Sequence, residues 1–132
     1  MQPVAAVDKG RLRRWIADLD NRRFAVRQTA TRQLEKQGEL AESVLRQALE
    51  AKPTTEARRR LERLLDRVDS QRRFPSGEHL RLLRALAVLE NIGTKQARSV
   101  LEKLAKGAPE ARLTQEAKAA LKRMARRIHA KP

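Results

Sequence analysis

Few residues of this 132-residue sequence could do chemistry, and their spacing argues against catalysis. His79 and His129 are the only imidazoles, and neither sits in a carboxylate-rich spacing of the kind that holds a metal. Cysteine is absent, which removes thiolate nucleophiles, disulfides and cysteine-based zinc sites. Ser43, Ser70, Ser76 and Ser99 lack a nucleophile elbow and have no histidine in register. Carboxylate pairs such as Glu39/Glu42 and Asp66/Asp69 fall at i, i+3 beside arginines, the pattern of a solvated ion-pair surface. A carboxylate used for acid–base work is more often set among apolar neighbours that raise its pKa. The five glycines form no phosphate-cradling loop. The sequence reads as non-enzymatic, with no catalytic residue, cofactor or metal.

What it does carry is positive charge. Lys and Arg number 31 against 16 Asp and Glu, a net charge of +15. Residues 1–66 hold 15 basic and 10 acidic side chains, and residues 67–132 hold 16 and 6, so the excess lies mainly in the second half. Such a field attracts polyanions and acidic protein surfaces. Arg60, Arg63 and Arg67 recur at i, i+3, i+7 on a face that should be solvated. Lys118, Lys122 and Arg126 share a side with His129, and Arg123 and Arg127 lie beside them. Replacing Lys122, Arg123, Arg126 and Arg127 should leave the core undisturbed. With two Phe, one Trp and no Tyr there is little platform for stacking bases, so nucleic-acid binding, the second reading, would be phosphate-led and blind to sequence.

These side chains are positioned by helices. Asp8 can cap a first helix whose core stripe is Leu12, Trp15, Ile16 and Leu19. Asn21 can cap a second, with Val26, Ala30 and Leu34 inward, ending at Gly38 in a left-handed position. A third helix, about 39–51, stops at Lys52-Pro53, and Thr54 or Thr55 starts a fourth with Leu61, Leu64, Leu65 and Val68 inward. Regularity lapses at 69–77, the candidate hinge between halves 8–68 and 77–130, with Ser76 placed to cap the fifth helix. That helix, from Gly77 to Asn91, is apolar on more than one face, which predicts packing on both sides. Gly93-Thr94 is a stop and then a cap. The sixth helix, marked by Ala97, Val100, Leu101 and Leu104, ends at Gly107. Thr114 caps the last, with Ala117, Ala120, Leu121, Met124 and Ile128 inward. No segment alternates with period two.

The helices repeat. Val26-Arg27-x-x-Ala30-x-x-x-Leu34 returns 31 residues later as Ala57-Arg58-x-x-Leu61-x-x-x-Leu65, and Ala-x-x-x-Leu returns again at Ala85–Leu89 and Ala117–Leu121. Fixed-period self-similarity is the mark of stacked helix pairs, which bury their stripes only against one another and work through a surface. Trp15 to Asp20, Phe24 to Arg27, Ala30-Thr31-Arg32, Leu34-Glu35 and Gly38 resemble a HEAT-type repeat of the phycobilisome-lyase-like class. Leu86 to Thr94, and Leu101 to Pro109 continuing through Ala117 to Leu121, resemble the module at the C-terminal end of many planctomycete WD-repeat proteins. The resemblance covers residues 12–125. It implies a scaffold or adaptor fold, with DNA glycosylases forming one branch. It also implies an Asp in the inter-helix turn and an Arg early in the second helix that bond along the stack, roles matched by type in Asp20, with Asp18 the alternative acceptor, and Arg27, with Arg58 matching Arg27.

The expectation is therefore an all-α chain, 1–132, forming one short right-handed α-solenoid of about seven helices. It is expected to be cytoplasmic, a monomer or a domain of a larger chain, and without membrane contact, since no apolar run approaches the ~20 residues of a span. Its role would be to present a basic helical surface to an acidic protein partner. Arg60, Arg63, Arg67, Lys118, Lys122, Arg123, Arg126 and Arg127 are the candidate contact residues.

Overall fold

The computed structural model describes residues 1–130, with side chains through Ile128. The chain is all-helical, and no strand occurs among the described residues. Its contacts divide it into two compact units, Val7–Phe74 and a second formed by Met1–Ala6 with the chain from Pro75 onward. The assignment of Met1–Ala6 to the later unit has no counterpart in the sequence pattern.

The Val7–Phe74 unit begins with α1, Lys9–Asp18, capped by Asp8, whose carboxylate accepts the Gly10 N–H at 2.9 Å. Leu12 and Leu19 are fully buried, while Trp15 and Ile16 pack partly buried against the same core. The second helix, α2, spans Phe24–Gln37 and starts without a side-chain cap. Asn21 instead closes a local turn by accepting the Arg23 N–H, and Arg27 reaches back to the carbonyls of Asn21 and Arg22 at 2.7 and 3.0 Å. A guanidinium thus organises the turn that Asn21 was expected to cap.

Gly38 ends α2 at φ 52°, ψ −125°, a positive-φ geometry outside the left-handed helical basin and open essentially only to glycine. No loop intervenes. A 3-10 turn, Gly38–Ala41, leads directly into α3, Glu42–Glu50. Residues 24–50 therefore form one helical run bent at Gly38, and the described residues hold six uninterrupted runs rather than about seven.

Thr54 caps α4, Thr55–Arg73, by accepting the Ala57 N–H at 3.3 Å. This helix buries Leu61, Leu64, Leu65 and Val68 and continues to Arg73, so the irregular segment begins at Phe74 and not at 69. Within this unit α1 packs on α2, α3 on α4, α1 on α3 and α2 on α4. First helix lies on first helix and second on second, which is how a repeated stripe at offset 31 buries itself. Ala30 and Leu34 on α2, and Leu61 and Leu65 on α4, are all buried.

In the other unit α5, Gly77–Ile92, is capped by Ser76, which accepts the His79 N–H at 3.2 Å, and is closed by Gly93 in the left-handed conformation. Thr94 then caps α6, Lys95–Leu104. The last helix, α7, spans Arg112–Ala130 and starts two residues before Thr114, which is fully buried inside it and not its cap. The three helices pack mutually around Leu86, Leu101, Leu104, Leu113, Ala117 and Met124. Leu80, Val88 and Ile92 of α5 stay exposed, as does Ile128 of α7. The expectation that α5 is covered on both sides is thus met only on the side facing α6 and α7, and Ile128 is not inward.

Val4 completes this unit. Its carbonyl accepts the Ala108 N–H at 2.7 Å, and its side chain packs against the α5–α7 core. A Cβ on Gly107 would lie 2.8 Å from the Val4 nitrogen and from Thr114 Oγ1. Glycine is required there because two backbones approach closely, not because of its φ.

Candidate functional site

The contact candidates fall on two separate surfaces, one in each unit. On the first, α2 and α4 run side by side and in the same direction, because both sets of cross-helix partners advance together. Arg27 lies 3.9 Å from Glu56, and four residues further along each helix Thr31 meets Arg60. Arg60 ties the two helices together, with a side chain only 12% exposed. Its Nε donates to Glu56 at 3.0 Å, and its Nη1 donates to Thr31 Oγ1 at 2.9 Å and Gln28 Oε1 at 3.5 Å. The solvated face predicted for Arg60, Arg63 and Arg67 is therefore solvated only at the last two.

Beyond Arg60 the walls separate into a groove of about 320 Å³, lined by Gln28, Thr31 and Glu35 of α2 and by Arg60, Arg63, Leu64 and Arg67 of α4. Arg63 and Arg67 are exposed, and neither is paired with a carboxylate among the described residues. At the Arg60 end stands Phe24, 62% exposed, with the guanidinium carbons of Arg27 and Arg60 at 5.6 and 5.9 Å from its ring centre. Two cations against the ring hold an exposed aromatic in place. Phe24, Gln28 and Thr31 carry no mark of a site in the sequence, because their relation to α4 exists only once the second helices stack.

The residues matched to the HEAT-type bonding pattern take different partners. Asp20 accepts from the Thr54 hydroxyl at 2.8 Å and so links the α1–α2 turn to the cap of α4. Arg27 bonds within its own turn, and Arg58 is exposed. Glu42, at the start of α3, is bonded by Arg72 near the end of α4 and by Arg46, and Asp69 lies 3.6 Å from Arg46. The Arg72 hydrogen bond is the main reason the Glu42 carboxyl is held below its ordinary pKa.

The second surface is on α7. Lys118, Lys122 and Arg126 are exposed, and the His129 side chain lies outside the described residues. Arg123 and Arg127 are held by Glu90 of α5. The Arg123 Nε and Nη2 donate to its two oxygens at 2.8 and 2.9 Å, and Arg127 Nη2 donates at 3.1 Å. Glu90 is 8% exposed, and the Arg123 hydrogen bond keeps its pKa low against the opposing effect of burial. Arg123 is therefore not replaceable without consequence, because reversing it would set two carboxylates against each other at the edge of a core. A cavity of about 160 Å³ lies beside this pair, lined in part by Leu83, Leu86 and Arg112. The sequence did hold a signal for Glu90: Leu83, Leu86 and Glu90 stand at i, i+3, i+7, which places a carboxylate on an apolar stripe.

No group of three or more His, Cys, Asp or Glu among the described residues could hold a metal ion, and no described helix is long and apolar enough to cross a membrane. No family model, curated protein or solved structure matches the chain.

Proposed function

We propose that the chain is a non-enzymatic interaction module, a short right-handed solenoid of HEAT-like helical repeats, that presents the α2–α4 groove to an acidic protein partner. The observation that carries this reading is the meeting of the two unpaired guanidinium groups of Arg63 and Arg67 with a concave strip between stacked second helices. The like-on-like packing of α1 to α4 supports the repeat assignment. On α7, by contrast, two of the five candidate cations are already engaged by Glu90. The reading includes a cytoplasmic setting, where a chain without cysteine loses nothing to a reducing medium.

Binding to poly-L-glutamate and to random-sequence duplex DNA, each titrated over a range of salt, separates the two readings. An acidic-partner module should hold polyglutamate and release DNA by about 150 mM salt, where the Debye length has shrunk to ~8 Å. Micromolar DNA binding that persists there, with log K falling by about 0.9 per neutralised phosphate against log salt, would replace the proposal by phosphate-backbone binding.

A further inference from the structure

We infer that the α2–α4 groove takes an extended acidic segment of a partner protein in which carboxylates alternate with apolar residues. The carboxylates pair with Arg63 and Arg67, and an apolar side chain rests on Phe24. This deepens the acidic-partner reading and depends on it.

The two arginines are spaced to suit an extended chain. Arg63 and Arg67 are one helical turn apart, about 6 Å along the axis at 1.5 Å per residue. Carboxylates two positions apart on an extended chain are about 6.6–6.8 Å apart. An extended segment lying along α4 can therefore engage both guanidinium groups with every second side chain.

The two walls of the groove differ. On an extended segment the intervening side chains point to the opposite side, toward α2. That wall carries Glu35, which repels a carboxylate placed against it, and one turn of α2 before the lining begins, beside Arg60, stands the exposed ring of Phe24. Acid toward α4 and apolar toward α2 is the arrangement that meets a cation on one side and avoids an anion on the other. Gln28 accepts from Arg60 through its Oε1, which leaves its amide N–H donors to meet the segment's backbone.

The same features disfavour a nucleic-acid strand in this groove. Phosphate-led affinity grows with the number of phosphates neutralised. The groove offers two unpaired guanidinium groups, while Glu35 and Glu56 interrupt the positive field along its walls.

The test uses three fluorescent probes against the full chain: an octapeptide alternating glutamate and leucine, an octapeptide of four glutamates and then four leucines, and a decameric oligothymidylate. The alternating peptide should bind severalfold more tightly than the blocked one. The double variant Arg63→Glu/Arg67→Glu should weaken it by about tenfold or more, the scale of two charge pairs. Phe24→Ala should weaken the alternating peptide and narrow its advantage over the blocked one, whereas Lys118→Glu/Arg126→Glu should leave both unchanged. Both groove arginines are exposed and bridge no helices, so circular dichroism should stay fully helical. If the charge-reversed variant melts early, Arg63→Gln/Arg67→Gln carries the same expectation. Equal binding of the two peptides, or loss confined to the Lys118→Glu/Arg126→Glu variant, overturns the groove assignment while leaving an acidic partner in place. Binding of oligothymidylate with no binding of either peptide overturns both.

Discussion

At Glu90 a nearly buried carboxylate holds two arginines that would otherwise count toward the free charge of α7. Its apolar surroundings make the ionised form costly alone, and the paired donors from Arg123 restore it. Glu90→Gln keeps the shape and removes the charge. With both arginines about half exposed and able to resolvate, it should cost about 1–2 kcal/mol near neutrality, read from urea midpoints. The folded pKa of Glu90 is lowered from 4.5, so the folded state binds fewer protons between the two values. Its contribution is therefore complete above the unfolded pKa and disappears as pH falls through the folded one. The acid side of the stability curve should be shallower in Glu90→Gln than in the native chain, though not flat, because Glu42 acts with the same sign through Arg72. Identical acid profiles would mean that Glu90 does not titrate differently on folding. Among the α7 cations, Arg123→Glu should destabilise well beyond the ~0.5 kcal/mol of ordinary surface changes, and Lys122→Glu and Arg126→Glu should stay within it.

Helix ends show a second kind of economy, since Thr54 does two jobs with one hydroxyl. It accepts from Ala57 to start α4 and donates to Asp20 in the preceding turn. Thr54→Ala should cost about 1–2 kcal/mol, toward the upper range for a cap because a second bond goes with it. Thr54→Ala and Asp20→Ala should then be less than additive in thermal melts. The caps at Asp8, Thr54, Ser76 and Thr94 were readable in sequence because an acceptor just before an apolar-periodic run acts locally. Asn21 and Thr114 carried the same signal and did not cap. Arg27 took over the first turn, and burial inside α7 claimed Thr114. The groove was half readable for a similar reason. Arg60, Arg63 and Arg67 follow from the register of one helix, but Gln28, Thr31 and Glu35 face them only through packing of α2 on α4. Neither the 33 positions between Glu90 and Arg123 nor the contact of Val4 with Ala108 leaves any periodic trace.

For the molecule as a whole, the two units should respond separately to damage in one of them. Gly107→Ala forces a methyl group into the backbone of Val4 and the side chain of Thr114, an overpacking error worth about 1–3 kcal/mol. Hydrogen exchange should show lost protection in α5, α6 and α7 while the buried amides of α1 to α4 keep theirs. Uniform loss across all helices would instead make the chain a single cooperative block.

The contact between Val4 and Ala108 also sets an order of assembly. Ala108 stands 104 positions beyond Val4, so the hydrogen bond between them closes a very long loop. Every helix pair of the Val7–Phe74 unit can meet over far shorter separations, and contacts of low sequence separation form soonest. During synthesis the segment around Val4 leaves the ribosome before α1, and its hydrogen-bond partner Ala108 follows only after α6. Val4 is thus made before α1 and seated only after α6, and a nascent chain halted before Ala108 should hold α1 to α4 folded with residues 1–6 still open to protease.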